Sequence, residues 1–508
     1  MKSAIKYTIF SLLIIVVIGS FYALWSKDRE EDFLVKYEEY VPQDATFVAM
    51  GNINEEGTLK KIIDQFMQES VNFGIFSYID GPGILCSNLT SNGFKEDTYL
   101  VFIQKVNDSQ RLGEACEIIK KYFAKDNLEY AEEDFLRLKI NAPKDGQRGF
   151  SWAVGKDLLV MASSSKDIKM IFTPSKDWKS IKDLQVYKDA KAKIADCNKG
   201  FMFWRIPETF GNLLELGNLD NLKKCKYMIS GLKKESSTKW RSLTYLECDP
   251  SVLKSILNGE GNVDFNSLKY HPHANSCCLG FNAKTVLNIF KSAMSNVAEA
   301  KQEGSSLKIS YNPIEKYMDM ISKYVTGELV LSIDGLGKYQ GKNFFNKESK
   351  FQDFLAEASV SPWIITVGLN KDGKEIVNGF LDDEPSLKEN LNALVTDDYL
   401  ILMGEALSPK EYREKILANK VDKNWLQALK FVQPPRGIVF ICEDCKRNRA
   451  DTATELRKLE DDKAQFAAEI FAKFSEIFRD SSLLVDVQED GVRVQLTVET
   501  ASLMDFAF

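Results

Sequence analysis

YVPQDATFVAMGNIN, at residues 40–54, has a counterpart later in the chain, YHPHANSCCLGFNA at residues 270–283. The two stretches align at an offset of 230 residues, which pairs Pro42 with Pro272, Ala45 with Asn275 and Asn52 with Asn282. Each stretch opens with a tyrosine and a proline and continues into an apolar segment of the kind that forms a β-strand. We therefore expect two copies of one structural unit.

Three further matches follow in the same order. They pair VGKDLLVM (residues 154–161) with VTDDYLIL (395–402), GFMF (200–203) with GIVF (437–440), and LTYL (243–246) with LTVE (496–499). The offsets of 241, 237 and 253 residues drift as insertions in surface loops would make them drift, since longer loops cost little free energy. A period this long indicates duplicated domains, because the repeats of a solenoid are much shorter.

The predicted fold class is α+β, with two tandem homologous domains, each an antiparallel sheet with helices packed on one face, preceded by an N-terminal transmembrane helix. Hairpin signals predominate over strict βαβ alternation, which favours antiparallel sheets. A chain of 508 residues is also too long for one core. The predicted boundaries are 1–26 for a membrane anchor, 27–39 for a charged stalk, 40–265 for the first α+β repeat and 266–508 for the second.

The predicted anchor is residues 7–26, YTIFSLLIIVVIGSFYALWS, which carry no charge. As a helix these residues would extend about 30 Å, the thickness of the hydrocarbon layer of a bilayer. A cleaved signal peptide is the alternative, but residues 19–23 match a cleavage site poorly. A short N-terminal tail before a large domain favours export. We therefore predict a single-pass protein of the bacterial inner membrane with residues 27–508 in the periplasm.

Composition limits the partners and says little about redox state. The formal net charge of −7 and the pI near 5.4 make a nucleic-acid surface improbable. The predicted partners are the lipid bilayer, through residues 7–26, and an envelope protein. Nine cysteines leave at least one thiol unpaired within the chain, and a disulfide framework is neither required nor excluded.

The only two histidines, His271 and His273, stand near Cys277 and Cys278, which suggests a zinc cluster. The repeat argues against this interpretation, because the two cysteines take the positions of Phe47 and Val48 in the first copy. Adjacent residues of a strand also point to opposite faces. The sequence therefore predicts no metal site.

Cys442 and Cys445 form a C-x-x-C pair, but no second pair exists to complete a four-thiolate zinc site. A local disulfide or two free thiols are both compatible with this spacing. The chain has no G-x-S-x-G, P-loop or G-x-G-x-x-G motif in a supporting context, and Gly81-Pro82-Gly83 is interpreted as a turn. We predict no catalytic residues, no cofactor-binding residues and no cofactor, and hence a protein that is not an enzyme.

Two segments of the second copy are predicted to be insertions. Residues 335–360 have no clear period and are rich in aromatic residues, which could form a binding edge or fold back onto the domain. Residues 452–478 are predicted to form one helix, because TATE at 452–455 matches a capping box and an apolar stripe follows. The stripe could pack on its own sheet or on a partner helix.

The Tyr-x-Pro-x-x-Ala pattern before a strand and YVTGELVLSI at residues 324–333 resemble segments of uncharacterised envelope proteins of Bacteroidetes. That family has a domain of unknown function, built as a duplicated α+β repeat behind a signal or lipid anchor. The resemblance covers about residues 40–505 and implies an envelope protein, but it supplies no catalytic residues. This chain departs from the family in having no lipoprotein cysteine.

The predicted function is that of a membrane-anchored periplasmic binding or scaffold protein with no evident catalytic site. Two alternatives remain. One is a carrier of a small hydrophobic ligand between the two repeats, and the other is an enzyme of unrecognised type.

Overall fold

The structure is a computed structural model of the 508-residue chain. It describes residues 38–53, 79–90, 98–106, 109–110, 112–114, 116–117, 129–136, 138–144, 151–155, 158–173, 179–197, 200–206, 224–249, 261–285, 323–344, 361–383, 385, 392–404, 409–418, 421, 423–431 and 433–501. The predicted anchor, residues 7–26, and the predicted stalk up to residue 37 lie outside the described residues. In the part of the chain that is described, no helix is long and apolar enough to cross a membrane.

The chain is a mixture of helices and antiparallel strands that divides into two compact units. Unit 1 comprises Met1–Glu235, Ser242–Asp249 and Phe506–Phe508, and unit 2 comprises Ser236–Arg241 and Pro250–Asp505.

Unit 1 is built on an antiparallel sheet in the order β10-β9-β8-β1-β2-β3-β7-β6-β5-β4. Its strands are β1 (Phe47–Ile53), β2 (Ile79–Ser87), β3 (Leu100–Val106), β4 (Tyr130–Phe135), β5 (Leu138–Pro143), β6 (Ser151–Val154), β7 (Leu158–Ala162), β8 (Gly200–Arg205), β9 (Cys225–Lys234) and β10 (Lys239–Cys248). Its described helices are α1 (Ser165–Phe172), a 3₁₀ turn (Ile181–Asp183) and α2 (Gln185–Lys193).

The core of unit 1 lies on one face of this sheet, where alternate strand residues such as Val48 and Met50 of β1 are buried together. Helices α1 and α2 cover that face with Ile168 and Tyr187. The opposite face of β3, β6 and β7 is also apolar, and it packs against helical residues that include Leu112. Helical residues therefore lie on both faces of this sheet. The prediction of helices on one face failed here because these strands are apolar on both sides.

Unit 2 has a sheet in the order β20-β19-β18-β12-β13-β14-β16-β15, and a small β11–β17 pair. The strands are β11 (Val263–Asp264), β12 (Cys277–Asn282), β13 (Val325–Ile333), β14 (Trp363–Leu369), β15 (Leu394–Val395), β16 (Tyr399–Met403), β17 (Arg436–Gly437), β18 (Val439–Asp444), β19 (Phe478–Val487) and β20 (Gly491–Thr500). The helices are a 3₁₀ helix (Asn266–Tyr270), α3 (Leu336–Asn343), α4 (Lys371–Asp383), α5 (Pro409–Leu417), α6 (Trp425–Ala428), α7 (Cys445–Leu456) and α8 (Asp462–Ile477).

The central strands of the two units are paired in a comparable way, β1 with β2 and β8, and β12 with β13 and β18. Phe47 of β1 lies opposite Ser87 and Trp204, as Cys277 of β12 lies opposite Ile333 and Glu443. An irregularity also recurs in the next pair along the sheet: the register shifts between Ile79 and Gly83 in β2–β3, and between Val325 and Leu329 in β13–β14. These pairings define equivalent positions in the two units.

The turn before the central strand is repeated as well. Pro42 forms a bridge with Ser180, and Pro272 forms one with Asn424. In each unit the next residue donates its backbone N–H across this bridge, from Gln43 to the Lys179 carbonyl at 2.9 Å and from His273 to the Lys423 carbonyl at 2.7 Å. Ser180 and Asn424 then cap the short helices that follow them.

Several predicted elements differ from the structure. Gly81-Pro82-Gly83 lies inside β2, at its irregular pairing, and is not a turn. Residues 336–343 of the segment predicted to lack periodicity form α3, while residues 345–360 lie outside the described part.

The long predicted helix at residues 452–478 is two helices, α7 and α8, separated by a short turn. Asp444 and Asp461 cap them, and Thr452, the predicted cap, lies inside α7. The side chain of Thr452 instead donates to the carbonyl of Asn448 at 2.8 Å. Leu456 is buried against α8, but Phe466 points outward with 54% of its surface exposed, so the predicted single stripe does not form.

Candidate functional site

A layer of polar side chains interrupts the core of unit 2. Apolar residues lie on either side of it, in one cluster around Ile401 and another around Phe440. Between them, fully or almost fully buried, are five polar residues: Ser267, His271, Asn275, Ser332 and Thr366. In unit 1 the corresponding face of the sheet is one continuous apolar cluster.

The buried layer forms a continuous chain of hydrogen bonds. Asn275 Nδ2 donates to Ser332 Oγ at 2.9 Å, and Ser332 Oγ lies 2.8 Å from His271 Nδ1. His271 Nε2 lies 3.0 Å from Thr366 Oγ1, which donates to Ser267 Oγ at 2.7 Å. These directions are mutually consistent when Nε2 carries the proton and Nδ1 accepts from Ser332. A neutral imidazole satisfies both of its neighbours.

Ser267 links this chain to a buried carboxylate. Its backbone N–H donates to Glu328 Oε1 at 2.6 Å, and the hydroxyl of Tyr399 donates to Glu328 Oε2 at 2.8 Å. Burial raises the pKa of the Glu328 carboxyl, while these hydrogen bonds and Lys269 act in the opposite direction. Both oxygens of the carboxylate thus have partners, as a buried carboxylate requires.

Four members of the layer have apolar counterparts in unit 1. The repeated registers and the repeated turn place Val41, Ala45, Cys86 and Ile103 at the positions of His271, Asn275, Ser332 and Thr366. All four of these unit 1 residues are buried in the main apolar cluster. At these four positions, matched by strand pairing and the repeated turn, the two units carry different sets of side chains.

Ser332 and His271 lie close enough to suggest a nucleophile and its base, but neither is accessible to a substrate. Both side chains are fully buried. Burial lowers the pKa of His271 from 6.5 to about 3, so the imidazole is neutral at physiological pH. The geometry is that of a satisfied structural network, in which breaking one member leaves another unpaired.

A second polar group, partly exposed, is formed by His273, Asp444 and Asp480, which we call the HDD cluster. One ligand atom of each side chain lies within 4.8 Å of the corresponding atoms of the other two. His273 Nε2 is 3.0 Å from Asp480 Oδ1. Among the described residues, this is the group whose geometry could hold a metal ion.

The fold holds each member of the HDD cluster in place. His273 follows the Pro272 bridge, and its ring packs edge-on against Trp425 at 4.6 Å between centroids. Asp444 ends β18 and caps α7 by accepting the backbone N–H of Arg447 at 2.8 Å. Asp480 lies in β19 directly opposite Asp444. Two carboxylates are therefore cross-strand neighbours, an arrangement that repels unless a cation lies nearby.

Two basic side chains, Arg447 and His273, lie near the carboxylates of the HDD cluster. The Arg447 guanidinium pairs with Asp334, with Nη2 at 2.6 Å from Oδ2, so it is largely engaged beside the cluster. The hydrogen bond to Asp480 raises the pKa of His273, while burial lowers it, and the carboxylate charges of Asp480 and Asp444 raise it further. When it is protonated, His273 is thus a cation in direct contact with Asp480 and close to Asp444.

The cysteines near the histidines and those of the C-x-x-C pair are buried. Cys277 and Cys278 are buried in β12, and Cys278 lies opposite Cys442 of β18. Cys442 and Cys445 are both free thiols, which resolves the two alternatives for the C-x-x-C pair. Burial raises the pKa of Cys277 to about 12 and that of Cys445 above its usual value, so both thiols are poor nucleophiles.

The structure contains one disulfide, between Cys225 of β9 and Cys248 of β10, and the other seven cysteines form no disulfide. It joins the two strands of a hairpin in unit 1. The sequence neither required nor excluded such a bond.

Sequence reasoning treated His271 and His273 as one pair and missed the partners of each. Asp444 and Asp480 stand among many solvated carboxylates, and only their cross-strand pairing brings them to His273. A local signal existed for Asp444, since an aspartate before a helix is a common cap. No comparable signal marked Asp480.

No family model, curated protein or solved structure matches this chain. The resemblance to Bacteroidetes envelope proteins therefore stays a prediction.

Proposed function

We propose that the body of the protein consists of two homologous copies of one α+β module. The observation that carries this proposal is the comparable register of the two central strands. A register shift also recurs at the matching step of β2–β3 and of β13–β14. Packing alone does not require an irregularity at one particular step, whereas such features persist within families. The repeated proline bridge supports the same interpretation.

We further propose that the protein is exported and stays attached to the inner membrane through residues 7–26, with its body in the periplasm. The uncharged run in the sequence supports the anchor. The Cys225–Cys248 disulfide supports an oxidising compartment, because structural disulfides are rare in the bacterial cytoplasm.

Within this setting, we propose that the protein binds or scaffolds another envelope component and does not catalyse a reaction. Unit 2 keeps the framework of unit 1 but carries a different exposed group at its surface, since Gln43, Arg205 and Tyr227 hold the positions of the HDD cluster in unit 1. Duplicated modules that diverge at a surface position can present different binding groups on one scaffold. The HDD cluster is thus our candidate for the binding surface.

Crosslinking in intact cells tests this function. The tagged full chain is crosslinked, purified from envelopes, and compared with Asp480→Asn and with Asp397→Asn, which removes an exposed carboxylate elsewhere in unit 2. We expect a crosslinked partner that the wild type and Asp397→Asn share and that Asp480→Asn loses. Recovery of the tagged protein alone, or of the same partner with all three proteins, would contradict the proposal.

A further inference from the structure

We propose that His273, Asp444 and Asp480 bind one divalent cation of the zinc(II) type. The proposal goes beyond the binding function above and depends neither on the membrane anchor nor on a protein partner.

The donor set is the first argument. One imidazole nitrogen and two carboxylate oxygens come from three separate segments, and all three ligand atoms lie within 4.8 Å of one another. Zinc bonds to nitrogen and to carboxylate oxygen are about 2.0–2.2 Å long, so ligand atoms on opposite sides of one ion are about 4 Å apart. Small side-chain rotations would bring the three atoms to one ion, and the remaining coordination positions would be open to water or to a ligand.

The charge arrangement is the second, independent argument. Asp444 and Asp480 face each other across β18 and β19. Arg447, the nearby guanidinium, is paired with Asp334, and His273 is hydrogen-bonded to Asp480. Like charges at directly opposed strand positions are destabilising, and a bound cation removes that repulsion.

Support from the surroundings is the third argument. The ring of His273 packs against Trp425 in a T-shaped contact, and its backbone N–H donates to the Lys423 carbonyl. Asp444 is held by its capping bond to Arg447. A site whose ligands are oriented before the ion arrives loses less entropy on binding.

The chemistry of the three residues selects the class of ion. Imidazole suits zinc, copper, iron and nickel, whereas magnesium and calcium prefer sites made only of oxygen. The cation would displace the proton that His273 shares with Asp480, so binding would weaken as the pH falls.

The test uses the full chain in detergent, freed of metal with a chelator and titrated with zinc chloride by calorimetry. Cobalt(II) serves as an optical probe, because its visible bands report coordination and strong near-ultraviolet charge-transfer bands would reveal thiolate ligands. The variants are His273→Gln, which introduces the residue that unit 1 has at this position, and Asp480→Asn. The control is Asp397→Asn, whose side chain is 92% exposed and lies outside the HDD cluster.

We expect one equivalent of zinc, cobalt bands without thiolate charge transfer, and at least a tenfold loss of affinity in His273→Gln and in Asp480→Asn. Asp397→Asn should bind within about twofold of the wild type. Circular dichroism checks that every variant is folded. No binding, binding that all variants share, or a thiolate signature would overturn the proposal. None of these outcomes bears on whether a protein partner crosslinks to the surface.

Discussion

At the scale of single residues, the main feature of this protein is one core layer whose side chains differ between the two units. Val41, Ala45, Cys86 and Ile103 make an apolar layer in unit 1, and hydrogen-bonded polar residues take their places in unit 2. In the polar layer every member has a hydrogen-bonding partner, and the apolar layer needs none. A layer that mixed the two sets would leave polar groups unpaired. Removing one member of a buried network leaves its partners unpaired, which costs about 1–3 kcal/mol for each unpaired group.

The first prediction concerns His271→Val. It leaves Ser332 and Thr366 without the imidazole that lies between them, so we expect the free energy of unfolding to fall by about 2–5 kcal/mol. Combining it with Asn275→Ala, Ser332→Cys and Thr366→Ile rebuilds the unit 1 layer, and Ser267→Ala removes the hydroxyl that would lose its donor. This variant with five substitutions, the fivefold variant, should recover at least half of the unfolding free energy that His271→Val loses, as measured by urea unfolding.

The matched control is Val41→His in unit 1, which buries an imidazole without partners and should also destabilise the protein. A His271→Val protein as stable as the wild type would contradict the prediction. So would a fivefold variant less stable than His271→Val alone.

The second prediction concerns pH. His271 has a folded pKa of about 3, below its ordinary value of 6.5, so between these two values the unfolded chain binds a proton that the folded chain does not. Its contribution to stability is therefore complete above pH 6.5 and is lost as the pH falls toward 3, at up to about 1.4 kcal/mol per pH unit.

His273 acts in the opposite direction. Its pKa is raised, so its contribution is present at low pH and is lost as the pH rises through the folded pKa. The unfolding free energy of the fivefold variant, measured across the acid range, should fall less steeply with decreasing pH than that of the wild type. Parallel curves would show that His271 does not titrate on unfolding as expected.

At the scale of secondary-structure elements, α3 and α7 pack at unusually short range because glycines line their contact. A Cβ on Gly341 would lie 2.6 Å from Glu455 Cβ and 2.7 Å from the Thr452 carbonyl oxygen. We therefore expect Gly341→Ala to destabilise the protein by about 1–3 kcal/mol, despite the better helix propensity of alanine.

Gly379 of α4 is the matched control, since a Cβ there would meet nothing within 4 Å. Gly379→Ala should be neutral or stabilising by up to about 1 kcal/mol. Thermal unfolding followed by circular dichroism measures both variants. Equal effects of the two alanines would mean that α3 and α7 are not closely packed.

The hairpin of β9 and β10 depends on its disulfide. Cys225 and Cys248 are 23 residues apart. In the chain-entropy treatment, a disulfide that closes a loop of that size restricts the unfolded chain and stabilises the folded state by about 3 kcal/mol. The double variant Cys225→Ser/Cys248→Ser should lose stability on this scale, whereas Cys197→Ser, outside any disulfide, should change it little.

Thiol labelling of the unfolded, unreduced protein checks the bond directly. Seven cysteines should react, and all nine should react after reduction. Nine reactive thiols before reduction would exclude the disulfide.

At the scale of the whole molecule, the proposals place a two-unit body outside a membrane that residues 7–26 cross. The full chain should then stay with membranes through an alkaline carbonate wash, and protease added to spheroplasts should digest the body. Ile14→Arg with Ile15→Arg should abolish retention, because each arginine at the centre of a span costs about 2.5–3.5 kcal/mol of insertion. Ile14→Leu is the control.

Release of the wild-type chain by carbonate would contradict the anchor. Protection of the body from protease in spheroplasts would contradict its periplasmic location.

Strands with strong apolar runs were predictable from local sequence. The strands Trp363–Leu369 and Tyr399–Met403 are examples, because their largely apolar residues mark strands buried on at least one face. The match of GFMF with GIVF, by contrast, is displaced by two residues, since the registers place Gly200 at the position of Val439. A slip of two preserves the alternation of faces, so a sequence pattern cannot detect it.

Local patterns therefore determined the class of the elements and many of their limits, because periodicity and turn residues act over a few positions. Tertiary structure alone decided which polar groups meet. Asp444 and Asp480 come together through strand pairing, and His273 joins them from a turn far earlier in the chain. Likewise, burial keeps His271 neutral, and β13 and β14 supply the hydroxyl groups that satisfy its two ring nitrogens. Contacts between distant segments depend on register and packing, and no local property of the chain encodes them.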